Sequence, residues 1–533
     1  MTKKAHFGIL LVVLILGTIF LVRTLQHGVY VGTDSVEYIE AARNLARGDG
    51  LTLRRASGNT VPMYLRPPFF SMLLGVGILV GADPLIFATF LNILLFVIYI
   101  GMNMIAVYQI TEDSWLTLGM SILLIGTPLV FTNFLGAMSE PVFLTTGFGA
   151  FLLLTNTGGS ASNRNLILAG LLAGLAFLTR YIGVAFLVSG AMSLALLCLF
   201  TKRIRFRSIA IFGIVCILPM LLWIIVEMPF EVIRIETSIQ GEGSLWNILG
   251  PVRLFFINYV WSILGFGSVF NSVAYRGKLF FVAFVFLLSS LSVYLGVLQR
   301  NRQGINPFVE DDGLLPFIMV LYAFIVSAVL AFLASYLSNI HYPQALLNDR
   351  VFSPIGISVL LAIILSLYYG IRSVFPSSYG VVICFIPILL HLYATIPQTL
   401  MVAREMRKNG GLYNSITWQS SGVIQFLKGI DDDIEILSNE SEALQFYLDR
   451  PTFELLELVG QYQTDLSESI IENDDAFGRT LKSGDMILVL FDTLYWQLEE
   501  YYKEETEARI EALHSGLDLL YTDSHGSVYG ITE

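Results

Sequence analysis

The chain has 533 residues, of which 55% are apolar and 14% charged, and its mean hydropathy is +0.70 with a formal net charge of −11 at pH 7. This composition excludes a soluble globular protein and indicates a chain that resides in a lipid bilayer. The negative balance also argues against nucleic acid as a partner.

Apolar runs long enough to cross about 30 Å of hydrocarbon follow one another through most of the first 397 residues. Backbone polar groups in lipid have no water to bind, so these runs are predicted to be helices. The first run is too long for a cleaved signal sequence and is interpreted as a retained anchor. The thirteen runs are 8–25, 68–84, 86–109, 115–135, 139–155, 165–182, 183–201, 207–227, 252–270, 278–299, 314–337, 352–371 and 376–397.

Cationic clusters give these runs an orientation. The clusters at 3–4, 202–207 and 300–302 should lie in the cytoplasm by the positive-inside rule. When crossings are counted, they share one side only if 68–84 does not cross and if one of the three runs 207–227, 252–270 and 278–299 also stays at the surface. We choose 252–270 because it follows Pro251 and contains Arg253, Asn258, Trp261 and three glycines. The runs 68–84 and 252–270 are therefore predicted to be outer juxtamembrane helices. The prediction is a polytopic α-helical protein of the cell membrane with about eleven spans and a cytoplasmic N-terminus.

Charge also marks a domain boundary near residue 400. Residues 401–533 contain 9 Lys and Arg against 26 Asp and Glu. We therefore predict a membrane module over 1–397, with an outer loop at 26–66, and an acidic extracytoplasmic domain over 400–533. Strand patterns at 434–437, 486–491, 517–521 and 528–531, with a helical pattern at 495–513, indicate a small α/β fold.

Several arginines do not fit this orientation. The crossing count places them outside the cytoplasm, whereas the positive-inside rule expects most cations on the cytoplasmic side. Either the crossing count is wrong or something anionic binds them. These arginines are Arg43, Arg47, Arg54, Arg55, Arg66, Arg180 and Arg350.

The loop after the first run reads GTDSVEYIEAARNLARGDG. Asp34, Glu37, Tyr38 and Ala41 share one face of a predicted helix over 35–47. A carboxylate such as Asp34 can take a proton from an attacking hydroxyl group. The same spacing, Asp34-x-x-Glu37, is typical of a capping box at a helix start, and the two roles do not exclude each other.

Four further positions bring charge to the same predicted side. Arg66 precedes two prolines at a helix start, and Glu140 begins a span, where a negative charge is favourable. Arg180 lies between two nearly continuous spans; it marks a ligand or ion-pair site, or it extends to the interface. Arg350 follows Asp349, so a local ion pair is its simpler explanation. Arginine is well suited to binding phosphate.

With these residues identified, the chain resembles the GT-C superfamily of glycosyltransferases that use polyprenyl-phosphate sugars, the type that includes protein O-mannosyltransferases and the lipid A aminoarabinose transferase. The matching motifs are D-S-x-x-Y at 34–38, A-x-x-L-x-x-G at 42–48, Arg-Pro-Pro at 66–68, S-E-P at 139–141, LAGLLAGLAFLTRYIG at 168–183 and Arg-x-x-x-Pro at 350–354.

The resemblance implies a sugar donor on a polyprenyl phosphate in the outer leaflet and inversion at the anomeric carbon. It implies that Asp34 is the general base and that Arg180, with Arg66 or Arg350, binds the donor phosphate. Several members of the superfamily have an acidic pair in the first loop, whereas Ser35 follows Asp34 here, so Glu37 or Glu140 is the expected second acid. No metal motif is visible, and some relatives need a divalent cation, so metal dependence stays open.

The predicted function is therefore an integral membrane glycosyltransferase that acts on an outward-facing hydroxyl of a lipid, glycan or protein acceptor. A polytopic lipid or solute transporter, or flippase, is the alternative. That alternative predicts inverted repeats and broken helices around a site at the membrane midplane. No such repeat is visible in the sequence, and the polar candidates gather at one surface.

Overall fold

The structure is a computed structural model, and it describes residues 3–55, 59–63, 66–155, 162–201, 205–227, 245–264, 266, 273–305, 313–338, 349–375, 377–455 and 476–531. Parts of five predicted features lie outside these ranges. They are residues 56–58, 64 and 65 of the outer loop, 202–204 of the cationic cluster, 265 and 267–270 of the second surface run, 376 of the last apolar run, and 456–475, 532 and 533 of the C-terminal domain.

Helices occupy most of the first 409 residues, because the apolar runs have no other way to satisfy their backbone groups in lipid. They are α1 (Lys3–Thr24), α2 (Thr33–Arg47), α3 (Phe69–Leu79), α4 (Pro84–Thr111), α5 (Ser114–Gly126), α6 (Pro128–Phe131), α7 (Glu140–Thr155), α8 (Asn163–Thr179), α9 (Val184–Thr201), α10 (Phe206–Glu227), α11 (Leu245–Ile263), α12 (Tyr275–Arg302), α13 (Leu314–Ser338), α14 (Asp349–Val374) and α15 (Ser377–Asn409). Two 3₁₀ turns, Thr132–Phe134 and Tyr181–Gly183, join neighbouring helices.

The polytopic helical architecture predicted from the sequence is confirmed. Within the described ranges, eight helices are long and apolar enough to cross a membrane, and nine if the bent pair formed by α5 and residues 128–134 counts as one span. Helices α7 and α8, of 16 and 17 residues, are slightly shorter and equally apolar. The two predicted surface runs are not among the candidate spans: α3 has 11 residues, about 16 Å of helix, and α11 also falls outside the set.

The bend between α5 and α6 is held by polar side chains from α15. The pair bends by 63° at Thr127. His391 Nε2 lies 3.0 Å from Thr127 Oγ1, and Thr399 Oγ1 donates to the Gly126 carbonyl at 2.8 Å. A break in a membrane helix frees backbone groups, and the Thr399 hydrogen bond satisfies one of them, the Gly126 carbonyl.

Helices α8 and α10 pack with their backbones close together. A Cβ atom at Gly170 would lie 2.7 Å from the Phe212 carbonyl oxygen, and one at Gly174 would lie 2.8 Å from that of Cys216. Small residues four apart permit such an approach between membrane helices. The LAGLLAG sequence therefore fixes the position of α8 against α10, and with it the residue that follows α8.

The chain divides into two compact units. The first contains Met1–Gln26, Tyr64–Phe70 and Ile86–Arg407, and α14 is the most enclosed of its candidate spans. The second contains His27–Met63, Ser71–Leu85 and Lys408–Glu533. From the sequence, we predict that the first loop belongs to the membrane module over 1–397. In the structure, residues 27–63 group with the C-terminal residues.

The second unit contains a hairpin and a five-stranded sheet. In the first loop, β1 (Thr52–Arg54) pairs antiparallel with β2 (Thr60–Pro62). The C-terminal sheet has the order β4-β3-β5-β7-β6, in which β3 (Glu435–Ser438) is parallel to β4 (Phe453–Glu454) and β5 (Met486–Phe491), while β7 (Gly526–Gly530) is antiparallel to β5 and β6 (Asp518–Thr522). Its helices are α16 (Ile416–Gln419), α17 (Gly422–Leu427), α18 (Ser441–Leu448), α19 (Ala476–Lys482), α20 (Thr493–Tyr502) and α21 (Thr506–Leu513).

The predicted C-terminal α/β fold is confirmed, and the fully buried strand MILVLF lies where the sequence placed it. The single helix predicted over 495–513 is wrong in one respect. Lys503 has a φ of 50°, so the chain leaves the right-handed helical region there, and α20 and α21 are separate helices joined by the 3₁₀ turn Lys503–Glu505.

Candidate functional site

The first candidate residue, Asp34, lies in the first turn of α2. The helix begins at Thr33, and the Gly32 backbone N–H donates to Ser35 Oγ at 3.1 Å. The capping box predicted for Asp34 and Glu37 is therefore wrong, because the helix begins two residues earlier and Ser35 supplies the cap. Asp34 is half-buried at the helix N-terminus, where the backbone dipoles stabilise a carboxylate.

Glu37 lies near carboxyl groups of the C-terminal part of the second unit. Burial raises the pKa of Glu442 above its usual value, and the negative charges of Glu454, Glu440 and Glu37 raise it further. Glu440 accepts hydrogen bonds from the Tyr413 hydroxyl at 3.0 Å and from Thr493 Oγ1 at 2.6 Å. The α2 face that presents Glu37 is thus part of an acidic region.

The arginines of the first loop have an anionic partner within the chain. Asp449 forms ion pairs with Arg43 at 3.4 Å, with Arg54 at 2.8 Å and with Arg47. The sequence left open whether something anionic binds these residues, and for these three the anion is Asp449. This network explains why residues 27–63 group with the C-terminal residues.

Glu40 is a second acid of this network that the sequence did not single out. Its side chain is 5% exposed, and Oε1 accepts hydrogen bonds from the backbone N–H of Arg54 at 2.8 Å and from Arg54 Nε at 3.3 Å. Gln445 Nε2 donates to its other oxygen at 2.6 Å. Burial raises the pKa of Glu40 above its usual value, while Arg54 acts in the opposite direction.

The first unit brings together three of the six predicted site residues. Glu140 begins α7, Arg180 follows α8, and Arg350 lies in the first turn of α14. Arg350 Nε lies 3.0 Å from Glu140 Oε1, and Arg180 pairs with the same oxygen. The Glu140 side chain is 2% exposed, whereas those of Arg180 and Arg350 are 18% and 30% exposed.

A single carboxylate holds both arginines of this cluster. Within the described ranges, the guanidinium groups of Arg180 and Arg350 contact the same oxygen of Glu140, at the ends of three helices. Among the described residues, Glu140 Oε2 accepts no hydrogen bond. A buried carboxylate needs its ionic partners, so Glu140 fixes both guanidinium groups, and their exposed portions can bind an anion.

Local packing determines where each arginine lies. The chain turns sharply after Arg180, and a Cβ atom at Gly183 would lie 2.5 Å from the Phe177 backbone nitrogen, so this turn requires glycine. At the other arginine, Ser353 Oγ donates to the Arg350 carbonyl at 2.9 Å and contacts Asn133. The TRYIG and R-x-x-x-P motifs therefore include residues that fix their arginines.

The remaining candidate, Arg66, is half-buried before Pro67 and Pro68 and belongs to the first unit. The predicted set is thus divided, with Asp34 and Glu37 in the second unit and the other four in the first. Within the described ranges, no three His, Cys, Asp or Glu side chains form a group that could hold a metal ion.

A groove of about 650 Å³ lies elsewhere in the first unit, between α5 and α15. Its one charged lining residue, Asp113, caps α5 by accepting hydrogen bonds from the backbone N–H groups of Trp115 and Leu116. Its other lining residues are apolar and largely exposed, as expected of a surface that contacts lipid: Trp115, Val381, Val382, Phe385, Ile386 and Leu389.

Comparison with solved structures gives distant likenesses over nearly the whole chain. ArnT from Cupriavidus metallidurans bound to undecaprenyl phosphate has a TM-score of 0.48 at 13% identity, covering 98% of both chains. The Archaeoglobus fulgidus oligosaccharyltransferase in complex with Zn and sulfate has a TM-score of 0.48 at 12% identity, covering 97% of this chain and 73% of that one. The oligosaccharyltransferase AglB from the same organism, with an inhibitory peptide and a dolichol-phosphate, has a TM-score of 0.43 at 12% identity, covering 98% and 74%.

No family model and no curated protein matches the chain.

Proposed function

We propose that the chain is an inverting glycosyltransferase that moves a sugar from a polyprenyl-phosphate donor to a hydroxyl group of an acceptor outside the cytoplasm. The observation that carries the proposal is the pair of guanidinium groups held by the buried Glu140. A polyprenyl-phosphate sugar is a phosphodiester with one negative charge, and guanidinium groups are well suited to binding phosphate oxygens.

In the proposed reaction, the acceptor oxygen attacks the anomeric carbon while the bond from that carbon to the phosphate oxygen breaks. Asp34 accepts the proton of the acceptor hydroxyl group. The released polyprenyl phosphate carries a further negative charge, which Arg180 and Arg350 stabilise as it develops. Arg66 is proposed as a third phosphate contact.

The geometry supports a changed role for Glu140. One Glu140 oxygen contacts both Arg180 and Arg350, so Glu140 is proposed as the residue that positions the phosphate-binding arginines. Glu37 keeps its place as the second acid of the first loop, where it would act with Asp34 on the acceptor.

The test of the base uses the purified full chain in lipid nanodiscs with a panel of polyprenyl-phosphate sugars, and it follows release of polyprenyl phosphate. Asp34→Asn should lose transfer by about 100-fold or more, the range expected for a general base. Asp49→Asn, an exposed carboxyl group of the same loop, is the matched control. Full activity of a folded Asp34→Asn protein would remove Asp34 from this role.

The test of the phosphate site measures donor binding. Arg180→Gln should weaken donor affinity by about 10- to 100-fold, since a hydrogen bond to a charged group contributes about 1.5–3 kcal/mol. Arg205→Gln, at an exposed position of the same unit, should leave donor affinity unchanged. Movement of an intact lipid-linked sugar between leaflets without cleavage would instead support the transporter alternative.

A further inference from the structure

The inference concerns the contact between α2, the helix that begins beside Asp34, and α18 of the C-terminal sheet region. Both belong to the second unit. One carboxylate, that of Asp449, receives three guanidinium groups: Arg43 and Arg54 contact Oδ1, and Arg47 contacts Oδ2. An isolated ion pair at a protein surface contributes little to stability. The three cations on Asp449 form a network of charges instead of such a pair.

The contacts repeat with helical spacing on both sides. Helix α2 presents Glu40, Arg43 and Arg47, which are three and four residues apart and share one face. From the other side, Gln445 binds Glu40 at 2.6 Å and Asp449, four residues later, binds the arginines. The two helices therefore contact each other over more than one turn.

Asp449 has a left-handed backbone conformation at the end of α18. It ends α18 with a φ of 51° and a ψ of 34°, and its N–H donates to the Gln445 carbonyl. Left-handed backbone is unusual for residues other than glycine, although aspartate and asparagine tolerate it, and it persists where the surroundings hold it. The three arginines are such surroundings.

The segment that leads into α2 is also held. The Val31 N–H donates to the Gly411 carbonyl at 3.3 Å, and the Tyr413 N–H donates to the Val31 carbonyl at 3.0 Å. Asp34 thus lies between two attachments, a backbone pairing just before the helix and the Asp449 contact about three to four turns into it. Loss of the second attachment weakens the hold of α18 on α2, which then depends on contacts such as the hydrogen bond between Gln445 and Glu40.

We propose that Asp449 is a positioning residue, which fixes α2 against α18 and thereby holds Asp34 in the orientation that proton transfer requires. This inference rests on the proposed function. It assigns to the C-terminal sheet region a part in the reaction without any contact to the substrate.

The experiment uses the full chain in nanodiscs and compares wild type with Asp449→Asn, which keeps the size and the left-handed backbone but removes the charge. Hydrogen exchange of peptides covering 33–47 should become about tenfold faster, because local opening becomes easier. The kcat should fall about tenfold while the KM for the donor stays within about twofold, since the phosphate site is not altered.

Two further variants make the result specific. Arg47→Gln removes one of the three cations from the α2 side at a position that is 46% exposed, and it should give the same changes at smaller size. Asp432→Asn, whose carboxylate is 95% exposed, should change neither exchange nor kcat.

Unchanged exchange in Asp449→Asn would overturn the fixing of α2, and faster exchange with unchanged kcat would overturn the positioning of Asp34. An equal loss of kcat in Asp432→Asn would also overturn the assignment. Failure of the proposed function is a different result, namely a wild-type protein that transfers no sugar from any donor, and the positioning role would then fall with it.

Discussion

At the scale of single residues, Glu140 shows how a buried charge is tolerated in a membrane protein. A carboxylate inside an apolar bundle is costly, and two guanidinium groups on one of its oxygens offset that cost. The sequence identified Glu140, Arg180 and Arg350 one at a time, as charges at the ends of apolar runs. It could not show that the acid joins the two bases, because the helices that carry them are far apart in the chain.

This arrangement predicts the effect of Glu140→Gln. Removal of one partner of a buried ion pair typically costs about 3–5 kcal/mol, and the partial exposure of both arginines favours the lower end, about 3 kcal/mol. The thermal unfolding midpoint in detergent should therefore fall, and donor affinity should fall with it. Glu112→Gln, at an exposed position after α4, is the control and should change stability by no more than about 0.5 kcal/mol.

The acids of the first loop predict a pH dependence. Burial raises the pKa of Glu40 above its usual value of 4.5, so the folded state binds more protons than the unfolded chain between 4.5 and that raised pKa. The stability that depends on Glu40 should thus increase as the pH falls through this window. The unfolding midpoint of wild type minus that of Glu40→Gln should become more positive as the pH falls from 7 towards 4.5, and a constant difference would contradict the prediction.

The pKa of Asp449 is shifted in the opposite direction to that of Glu40. Burial tends to raise its pKa, but the hydrogen bond from Arg47 and the charges of Arg43, Arg47 and Arg54 outweigh burial and hold the pKa below its usual value of 3.8. Its contribution to stability is therefore complete above pH 3.8 and is lost as the pH falls through the lower pKa of the folded state. The Asp449 contact should persist at pH 5.

At the scale of elements, the approach of α8 to α10 depends on two glycines. A Cβ atom at Gly174 would lie 2.6 Å from Pro219 Cγ as well as 2.8 Å from the Cys216 carbonyl oxygen. Because backbone atoms cannot move aside as flexible side chains can, the two helices must separate if Gly174 is replaced. Arg180 follows α8 directly and would move with it.

Gly174→Ala should accordingly destabilise the protein by about 1–3 kcal/mol, the usual cost of overpacking, and should weaken donor binding. Gly213→Ala in α10 is the matched control, because a Cβ atom there meets nothing within 4 Å. Alanine is the better helix former by about 1 kcal/mol, so this control should be neutral or stabilising. Thermal unfolding and donor titration of both variants would decide, and equal behaviour would contradict the close-packing account.

Most elements were predictable because their signals are local. Each of the thirteen apolar runs contains one or more helices, and the strand MILVLF lies where expected. Helix ends were less predictable: α15 continues to Asn409, twelve residues past its apolar run, because a helix that leaves the membrane no longer needs apolar side chains. The break at Lys503 was missed since nothing in the local sequence requires a left-handed residue there.

At the scale of the whole molecule, charge explains why the first loop and the C-terminal residues form one unit. The loop carries arginines and the C-terminal residues are strongly acidic, with 9 Lys and Arg against 26 Asp and Glu over 401–533. The sequence revealed both charges but not their pairing. Asp449 is one of many acids in that region, and only the folded chain shows which of them meets Arg43, Arg47 and Arg54.

Membrane orientation remains a prediction of the positive-inside count, and single cysteines can test it. Asp432→Cys, in an exposed loop of the second unit, should react with an impermeant maleimide in intact cells. Arg302→Cys, at the exposed end of α12, should react only after permeabilisation. The wild-type chain, with its three native cysteines, gives the background. The reverse pattern would overturn the orientation.

The ion pair between Arg43 and Asp449 also sets an order of assembly, because 406 residues separate the two in the chain. At typical synthesis rates, about 20 to 80 s pass between the appearance of the first residue and that of the second. Throughout that interval the arginines of the first loop have no Asp449 to bind, although the membrane helices that follow are already being made. The first loop is therefore among the last parts of the protein to be completed, and a chain that stops short of residue 449 cannot complete it.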